Sequence, residues 1–490
     1  MLSTQNSEFE VNSVQKEINE KKQENFPEIA NDDCILEVEN LTVHFFTRTG
    51  EVEAVRGIDF RVRKGEIFGI LGESGCGKSV TSLSILDLLP KRTGAVVNGK
   101  IIFKGENVAD LYRKEFRINR KGKKAKLRER RRVARSVKLQ IQKVRGKISM
   151  IFQDPLTSLD PLYKIKSQML ESIMYNNIDT MISRILEKDD IKRNRPELLK
   201  EFTGLNTNEF LSRIKEIYGD GGFYQELLLI LNLNITESDK KVNIKKAIVE
   251  AKSLNEREIQ NLKEKLKQTR RKVFRPKNRK SLIKTPEERI IEDEGFLYST
   301  ELLRFMDMPT PEKVLESYPH ELSGGMKQRA MIALSVANNS DILIADEPTT
   351  ALDVTTQYQV LNLLKNLNKH LDLTIIFVTH DLGVMSAMAK DVAVMYSGRL
   401  CEMGPLDKIL ANPLHPYTKG LLNCVITLRG EKTKFNTIPG QVPSLINPPK
   451  GCAFADRCDF VMDKCRVIDP PLTVRDERSV YCWQFGSETK

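Results

Sequence analysis

No run of apolar residues in this chain approaches the roughly 18 that a membrane-crossing helix needs, so no transmembrane segment is expected. Residues 1–33 are polar and contain no apolar core of the kind a secretory signal carries. They read as a disordered tail, and the chain reads as a cytosolic protein whose eight cysteines stay mostly reduced. No solenoid-like repeat recurs. With 490 residues, the chain has room for two or three domains and a large core.

Acids are scarce in one place. Between Leu111 and Lys147 stand 17 lysines and arginines against two acids, Glu115 and Glu129, a local balance of +15. The whole chain carries +12, which leaves −3 for the remainder, so the basic character is local. Aromatics are nearly absent from the run beyond Tyr112 and Phe116. That disfavours base stacking and points to surface electrostatics, with anionic lipid or another polyanion as the contact for 112–143.

Glycine spacing carries the first chemical signal. Gly72-Glu-Ser-Gly-Cys-Gly-Lys78-Ser79 fits the phosphate-binding P-loop pattern. A short apolar run, Glu66 to Leu71, precedes it as a buried strand, and Val80 to Leu89 can start a helix. Gly72, Gly75 and Gly77 let backbone N–H groups turn toward phosphate oxygens at a helix N-terminus. Lys78 would reach the β- and γ-phosphates and Ser79 would hold Mg²⁺. Ser74, Cys76 and Val80 complete the expected ATP contacts.

Residues 322–329 read Leu-Ser-Gly-Gly-Met-Lys-Gln-Arg, and 342–347 read Ile-Leu-Ile-Ala-Asp-Glu. Together they resemble the signature motif and Walker B strand of an ATP-binding cassette (ABC) protein. Further segments resemble the same family in order: Ile148 to Pro155 its Q-loop, Pro348 to Asp353 its D-loop, and Thr374 to Asp381 its H-loop. Leu36 to Phe45 resembles the first strands, where an aromatic stacks on adenine; Phe45 takes that place, with Phe46 the alternative. Val392 to Met403, with Gly398, reads as a closing hairpin. The resemblance implies roles. Glu347 would be the general base, and Asp346, Ser79 and Gln153 would contact Mg²⁺. Gln153 would also touch the attacking water, His380 would hold the γ-phosphate, and Asp353 would bridge to a partner site. Ser323, Gly324, Gly325 and Gln328 would act on the ATP of a neighbouring subunit.

From Lys78 to Ser323 the chain is far longer than the family needs. The excess lies in 112–143 and in 175–300, the latter with helix-like spacing at Ile259, Leu262 and Leu266 and an apolar patch from Leu227 to Leu233. It reads as an elaboration of a helical subdomain. The runs 151–161, Pro413 to Thr418 and Ile438 to Ser444 resemble one subfamily, the ATPase subunits of oligopeptide and dipeptide importers. Cys452, Cys458, Cys465 and Cys482 are not spaced like a zinc ribbon. Four thiolates can hold a [4Fe–4S] cluster or Zn²⁺, and free thiols are the third reading; the resemblance suggests the cluster. Few apolar residues and several prolines around these cysteines fit a segment that a metal holds together.

The expectation is therefore an α/β P-loop cassette with an antiparallel β edge and a helical arm, spanning 34–410, followed by a C-terminal extension, 411–490. The implied function is ATP hydrolysis that powers peptide import at the cytoplasmic face of a membrane. The implied partners are a homologous ATPase subunit, forming a heterodimer, two membrane-spanning permease subunits and an extracellular peptide-binding protein. The alternative is a nucleic-acid-associated ABC ATPase with a metal-bound cysteine module, which the basic run invites.

Overall fold

The structure is a computed structural model and describes residues 33–113, 140–154, 158–194, 207–218, 254, 256–271, 285–350, 352–424 and 438–486. Residues 1–32 of the expected tail, 114–139 of the basic run, Leu227 to Leu233 and Pro155 of the Q-loop run lie outside them. In chain order the strands are β1 (Cys34–Phe46), β2 (Glu51–Arg63), β3 (Ile67–Leu71), β4 (Gly94–Phe103), β5 (Glu106–Asn107), β6 (Ile148–Ile151), β7 (Ile342–Asp346), β8 (Thr374–Thr379), β9 (Asp391–Tyr396), β10 (Arg399–Pro405), β11 (Leu472–Arg475) and β12 (Arg478–Tyr481). The helices used below are α1 (Lys78–Ile85), α2 (Ile165–Asn176), α3 (Ile178–Asn194), α4 (Glu256–Arg271), α5 (Pro286–Phe305), α6 (Gly324–Val336), α7 (Val354–Leu371), α8 (Leu382–Met388) and α9 (Pro416–Asn423). They gather into two compact units.

The first unit takes the described residues up to Arg145, Ile344–Glu347 and those from Thr374 onward. Its central strands, β3 and β8, are buried along their whole length and pair in parallel, and β9 flanks β3 in the same sense. Continuous apolar and β-branched runs are what a parallel strand covered on both faces requires. β1, β2 and β4 form an antiparallel sheet instead, in the order β2-β1-β4-β5. Phe60 of that sheet stacks on Phe68 of β3 at 5.5 Å between ring centroids. The expected hairpin is present: β9 and β10 pair antiparallel across Ser397 and Gly398, both at positive φ (46° and 77°). Two left-handed residues in a two-residue turn match the right-handed twist of the strands.

The C-terminal extension joins this unit as sheet. β12 pairs with β10, Glu402 opposite Val480 and Met403 opposite Ser479, and β11 pairs with β12. Beneath the pairing, the wholly buried Glu402 carboxylate faces Arg478 at 3.4 Å. Glu402 also accepts from the backbone N–H of Leu414 and His415. Tyr396, Tyr417 and Phe454 form an aromatic cluster with centroids 4.6–5.5 Å apart.

The second unit is mainly helical. α5 begins with Pro286 behind a Thr285–Glu288 capping box, a strong local start signal. Glu294 of α5 binds Arg184 (2.8 Å) and Lys188 (3.0 Å) of α3, all three buried. Burial pushes the Glu294 carboxyl up, but Lys188 and Arg184 together override it and hold it below the usual carboxylate range. Leu262 of α4 is fully buried. Tyr112, at the start of the basic run, is buried in the first unit with its hydroxyl on the Ile85 carbonyl, so its ring is not open to stack on a base.

Candidate functional site

The phosphate loop sits in the first unit between β3 and α1. Gly77 caps α1 in the left-handed region (φ 102°), and a Cβ there would stand 2.6 Å from the Ala54 carbonyl. Both conformation and space therefore demand glycine. The loop is braced from the β9–β10 turn, where Gly398 donates its N–H to the Cys76 carbonyl at 2.9 Å. Cys76 is wholly buried, and burial pushes its thiol up. Lys78 is buried too, its ammonium donating to the carbonyls of Gly72 (2.8 Å) and Glu73 (3.0 Å). Ser74, Gly75 and Ser79 are exposed.

Two acids end β7 beside this loop. Asp346 is buried; burial raises its pKa against the lowering effect of a hydrogen bond from Ser79, and the Glu347 charge raises it further. One of its carboxylate oxygens, Oδ1, is buried without a hydrogen-bond partner. Such an atom, beside the Ser79 hydroxyl, suits a hard cation with oxygen ligands. Glu347 has φ 47°, a left-handed conformation uncommon for glutamate. Its N–H donates to the Val378 carbonyl of β8 at 2.8 Å, and its Oε1 stands 2.9 Å from Nδ1 of His380, just past the end of β8. Asp381 caps α8 by accepting from the N–H of Gly383 and Val384, which holds the turn that presents His380.

Six more expected positions lie in the second unit. Ser323 caps α6, its Oγ accepting from Met326 N–H at 3.3 Å. Gly324 opens to space, whereas a Cβ on Gly325 would meet Thr356 Cγ2 at 2.9 Å. Gln328 is buried and donates to the Pro348 carbonyl at 2.5 Å, so its amide holds the turn after β7. Asp353 caps α7 through Thr356 N–H (2.9 Å), and the Thr356 amide and hydroxyl hold its carboxyl below the usual range. Gln153 is exposed just beyond β6. In the first unit, Phe45 packs against Gly94, on the strand face shared with buried Leu41 and Val43; Phe46 lies on the opposite face near His44, at 6.5 Å.

The family described as "ABC transporter" matches residues 55–207 and 227–350, and "Oligopeptide/dipeptide transporter, C-terminal region" matches 401–465. The chain belongs to the ABC transporter ATP-binding proteins. It is an ATPase with the cassette fold. An oligopeptide transport ATP-binding protein of Bacillus subtilis is 33% identical, covering 92% of this chain and 88% of that one. A dipeptide transport ATP-binding protein of the same organism is also 33% identical, over 92% and 94%. A protein of Sinorhizobium fredii named as a probable peptide ABC transporter ATP-binding protein is 32% identical, over 92% and 95%. Among solved structures, a bacterial ABC transporter cassette aligns with 76% of this chain and 98% of its own at 19% identity and a TM-score of 0.40, too loose a likeness to carry an argument.

The cassette corrects one expectation. Among the described residues, no group of three or more His, Cys, Asp or Glu is placed to hold a metal ion, so the [4Fe–4S] reading of Cys452, Cys458, Cys465 and Cys482 is overturned. Burial, helped by the neighbouring thiols, pushes Cys452 up to about 12 and Cys482 up to about 11. A metal ligand would have to be a thiolate, and burial in these surroundings favours the thiol. Nor does the extension need a metal to hold it. Leu414, Val480 and Cys482 form a small core with Phe485 against it, and Trp483 donates to the Ile468 carbonyl at 3.0 Å. The count of apolar residues within the segment missed this small core and the aromatic cluster in which Tyr417 and Phe454 pack on Tyr396.

Sequence reasoning also passed over Glu73 and Arg457. Arg457 donates to the Glu73 carboxylate at 2.9 and 3.3 Å, and the Tyr417 hydroxyl accepts from Glu73 N–H at 2.9 Å. Tyr417 stands in the run Pro413 to Thr418 that drew attention in the sequence; Arg457 had no local signal.

Proposed function

We propose that this ATPase energises a peptide importer, working at the cytoplasmic face of a membrane as a peripheral subunit. The observation that carries this reading is the conjunction of the phosphate loop, Glu347 and His380 with a C-terminal region matching oligopeptide/dipeptide transporters at 401–465. The names of the relatives support peptide transport, and none of those cited supports the nucleic-acid alternative. No described helix is long and apolar enough to cross a membrane, so the translocation path would belong to two separate permease subunits, fed by an extracellular binding protein.

In this reading the N–H groups of 72–80 cradle the ATP phosphates and Lys78 transfers its ammonium from the Gly72 and Glu73 carbonyls to the β- and γ-phosphates. Asp346 and Ser79, with Gln153, would hold Mg²⁺, which when bound neutralises phosphate charge. Glu347 accepts the proton of the attacking water. His380 orients the Glu347 carboxylate and contacts the γ-phosphate. The α6 N-terminus, with Ser323, Gly324 and Gly325, would meet the ATP of a homologous partner subunit, where helix N–H groups favour an anion. Adenine stacks on Phe45 or Phe46. The segment 112–143 contacts anionic lipid or another polyanion.

The test is reconstitution of the assembled complex in vesicles. Peptide presented with its binding protein should stimulate ATP hydrolysis and accumulate inside. A complex that hydrolyses ATP but moves no peptide would refute the transport reading.

A further inference from the structure

The C-terminal region grips the phosphate loop at one residue. Glu73, second in the loop, has three polar groups, and each is engaged. Its carbonyl accepts from the Lys78 ammonium at 3.0 Å. Its N–H donates to the hydroxyl of Tyr417, a side chain wholly buried in the aromatic cluster. Its carboxylate takes a two-nitrogen contact from Arg457.

Arg457 is itself held on several sides. Its Nε donates to the Pro439 carbonyl (2.8 Å), Nη2 to the Ile438 carbonyl (3.1 Å) and Nη1 to the Tyr396 hydroxyl (3.1 Å). Its side chain is only 6% exposed. A planar guanidinium fixed in this way offers the carboxylate a rigid fork, which a lysine would not reproduce. Glu73 also poses an electrostatic problem: it places a negative charge in the loop that must take a polyphosphate. Arg457 neutralises that charge.

We propose that Arg457 and Tyr417 are positioning residues for the phosphate loop, through which the C-terminal region sets the affinity of the cassette for ATP. The chain of contact runs from Arg457 and Tyr417 to Glu73, and from Glu73 to Lys78. The inference rests on the assignment of 72–80 as the ATP phosphate site.

Nucleotide binding to the full-length chain tests it, with MgATP as the probe. Arg457→Met keeps the length of the side chain and removes the fork. It should raise the Kd for MgATP about tenfold at low salt, with binding stoichiometry unchanged. In the assembled complex KM should rise in parallel while kcat stays within about twofold. Higher KCl should shrink the defect, because an unpaired Glu73 repels the nucleotide through a screened field. Adding Glu73→Gln to Arg457→Met should recover most of the affinity. Tyr417→Phe should weaken binding less than Arg457→Met does. A merely structural role would instead lower stoichiometry and Tm at constant Kd, without rescue by Glu73→Gln. That outcome, or an unchanged Kd in Arg457→Met, overturns the proposal. Lys78→Ala separates the premise from the inference: if that variant binds MgATP like the wild type, the phosphate-site assignment itself has failed.

Discussion

Glu347 Oε1 and His380 Nδ1 lie 2.9 Å apart, although 33 residues separate them and each stands just past a different strand. The backbone of Glu347 is in the left-handed region at φ 47°, held there in part by its N–H bond to the Val378 carbonyl. A strained conformation that the surrounding sheet enforces is a frequent mark of a working site. Here it aims the carboxylate at the imidazole.

That pair yields the first prediction. Glu347→Gln should lower ATP turnover of the assembled complex by about 100-fold or more, because the amide cannot accept the proton of water. MgATP binding should persist, since the phosphate loop is untouched. Steady-state hydrolysis and equilibrium binding, measured on the same preparation, check it. Near wild-type turnover would remove Glu347 from the role of base.

Ser323 caps α6 and stands at the edge of the second unit's anion-suited helix start. Ser323→Arg should spare MgATP binding to this chain's own loop and suppress hydrolysis by the complex. Binding to the isolated chain and turnover of the complex separate the two effects. An isolated chain that hydrolyses ATP as fast as the complex would contradict action across subunits.

Arg478 and Glu402 are buried together under the β10–β12 pairing. Removing the cation alone leaves a carboxylate in the interior, so Arg478→Met should cost about 3–5 kcal/mol of stability. The variant's Tm and denaturant midpoint measure this. The double substitution with Glu402→Gln should regain part of the loss, and a double variant no better than the single would show that the charge is not the cause.

His415 is buried, and burial lowers its pKa from 6.5 to about 3, with Lys419 adding to the effect. Its Nδ1 accepts from Tyr417 N–H at 3.0 Å, which requires the neutral ring. Between these two values the unfolded chain binds a proton that the folded chain refuses. Its contribution to stability is therefore full above about pH 6.5 and is lost as pH falls toward about 3. His415→Asn retains an acceptor for the cap and should flatten the fall in Tm between pH 6.5 and 5 relative to the wild type. Parallel Tm curves for the two proteins would contradict this.

The cassette was legible in the sequence because its motifs are local. The P-loop pattern of Gly72 to Ser79, and the family resemblance carried by Ser323 to Gly325 and by Asp346-Glu347, each lie within a few residues of one strand end or helix start, so they could be read from short stretches of sequence. The β9–β10 hairpin was legible for the same reason: Ser397-Gly398 meets the demand of a tight turn. What joins distant segments was not. The sequence names Glu347 and His380 but not their hydrogen bond, which depends on β7 and β8 ending side by side. It shows four cysteines at suggestive intervals but not the burial that disfavours the thiolates of Cys452 and Cys482, because burial is a property of neighbours. Glu73 and Arg457 stand 384 positions apart. Their contact exists because the extension lays β12 along β10 and seats Tyr417 and Phe454 on Tyr396, and only the folded chain brings a C-terminal arginine to the second residue of the phosphate loop.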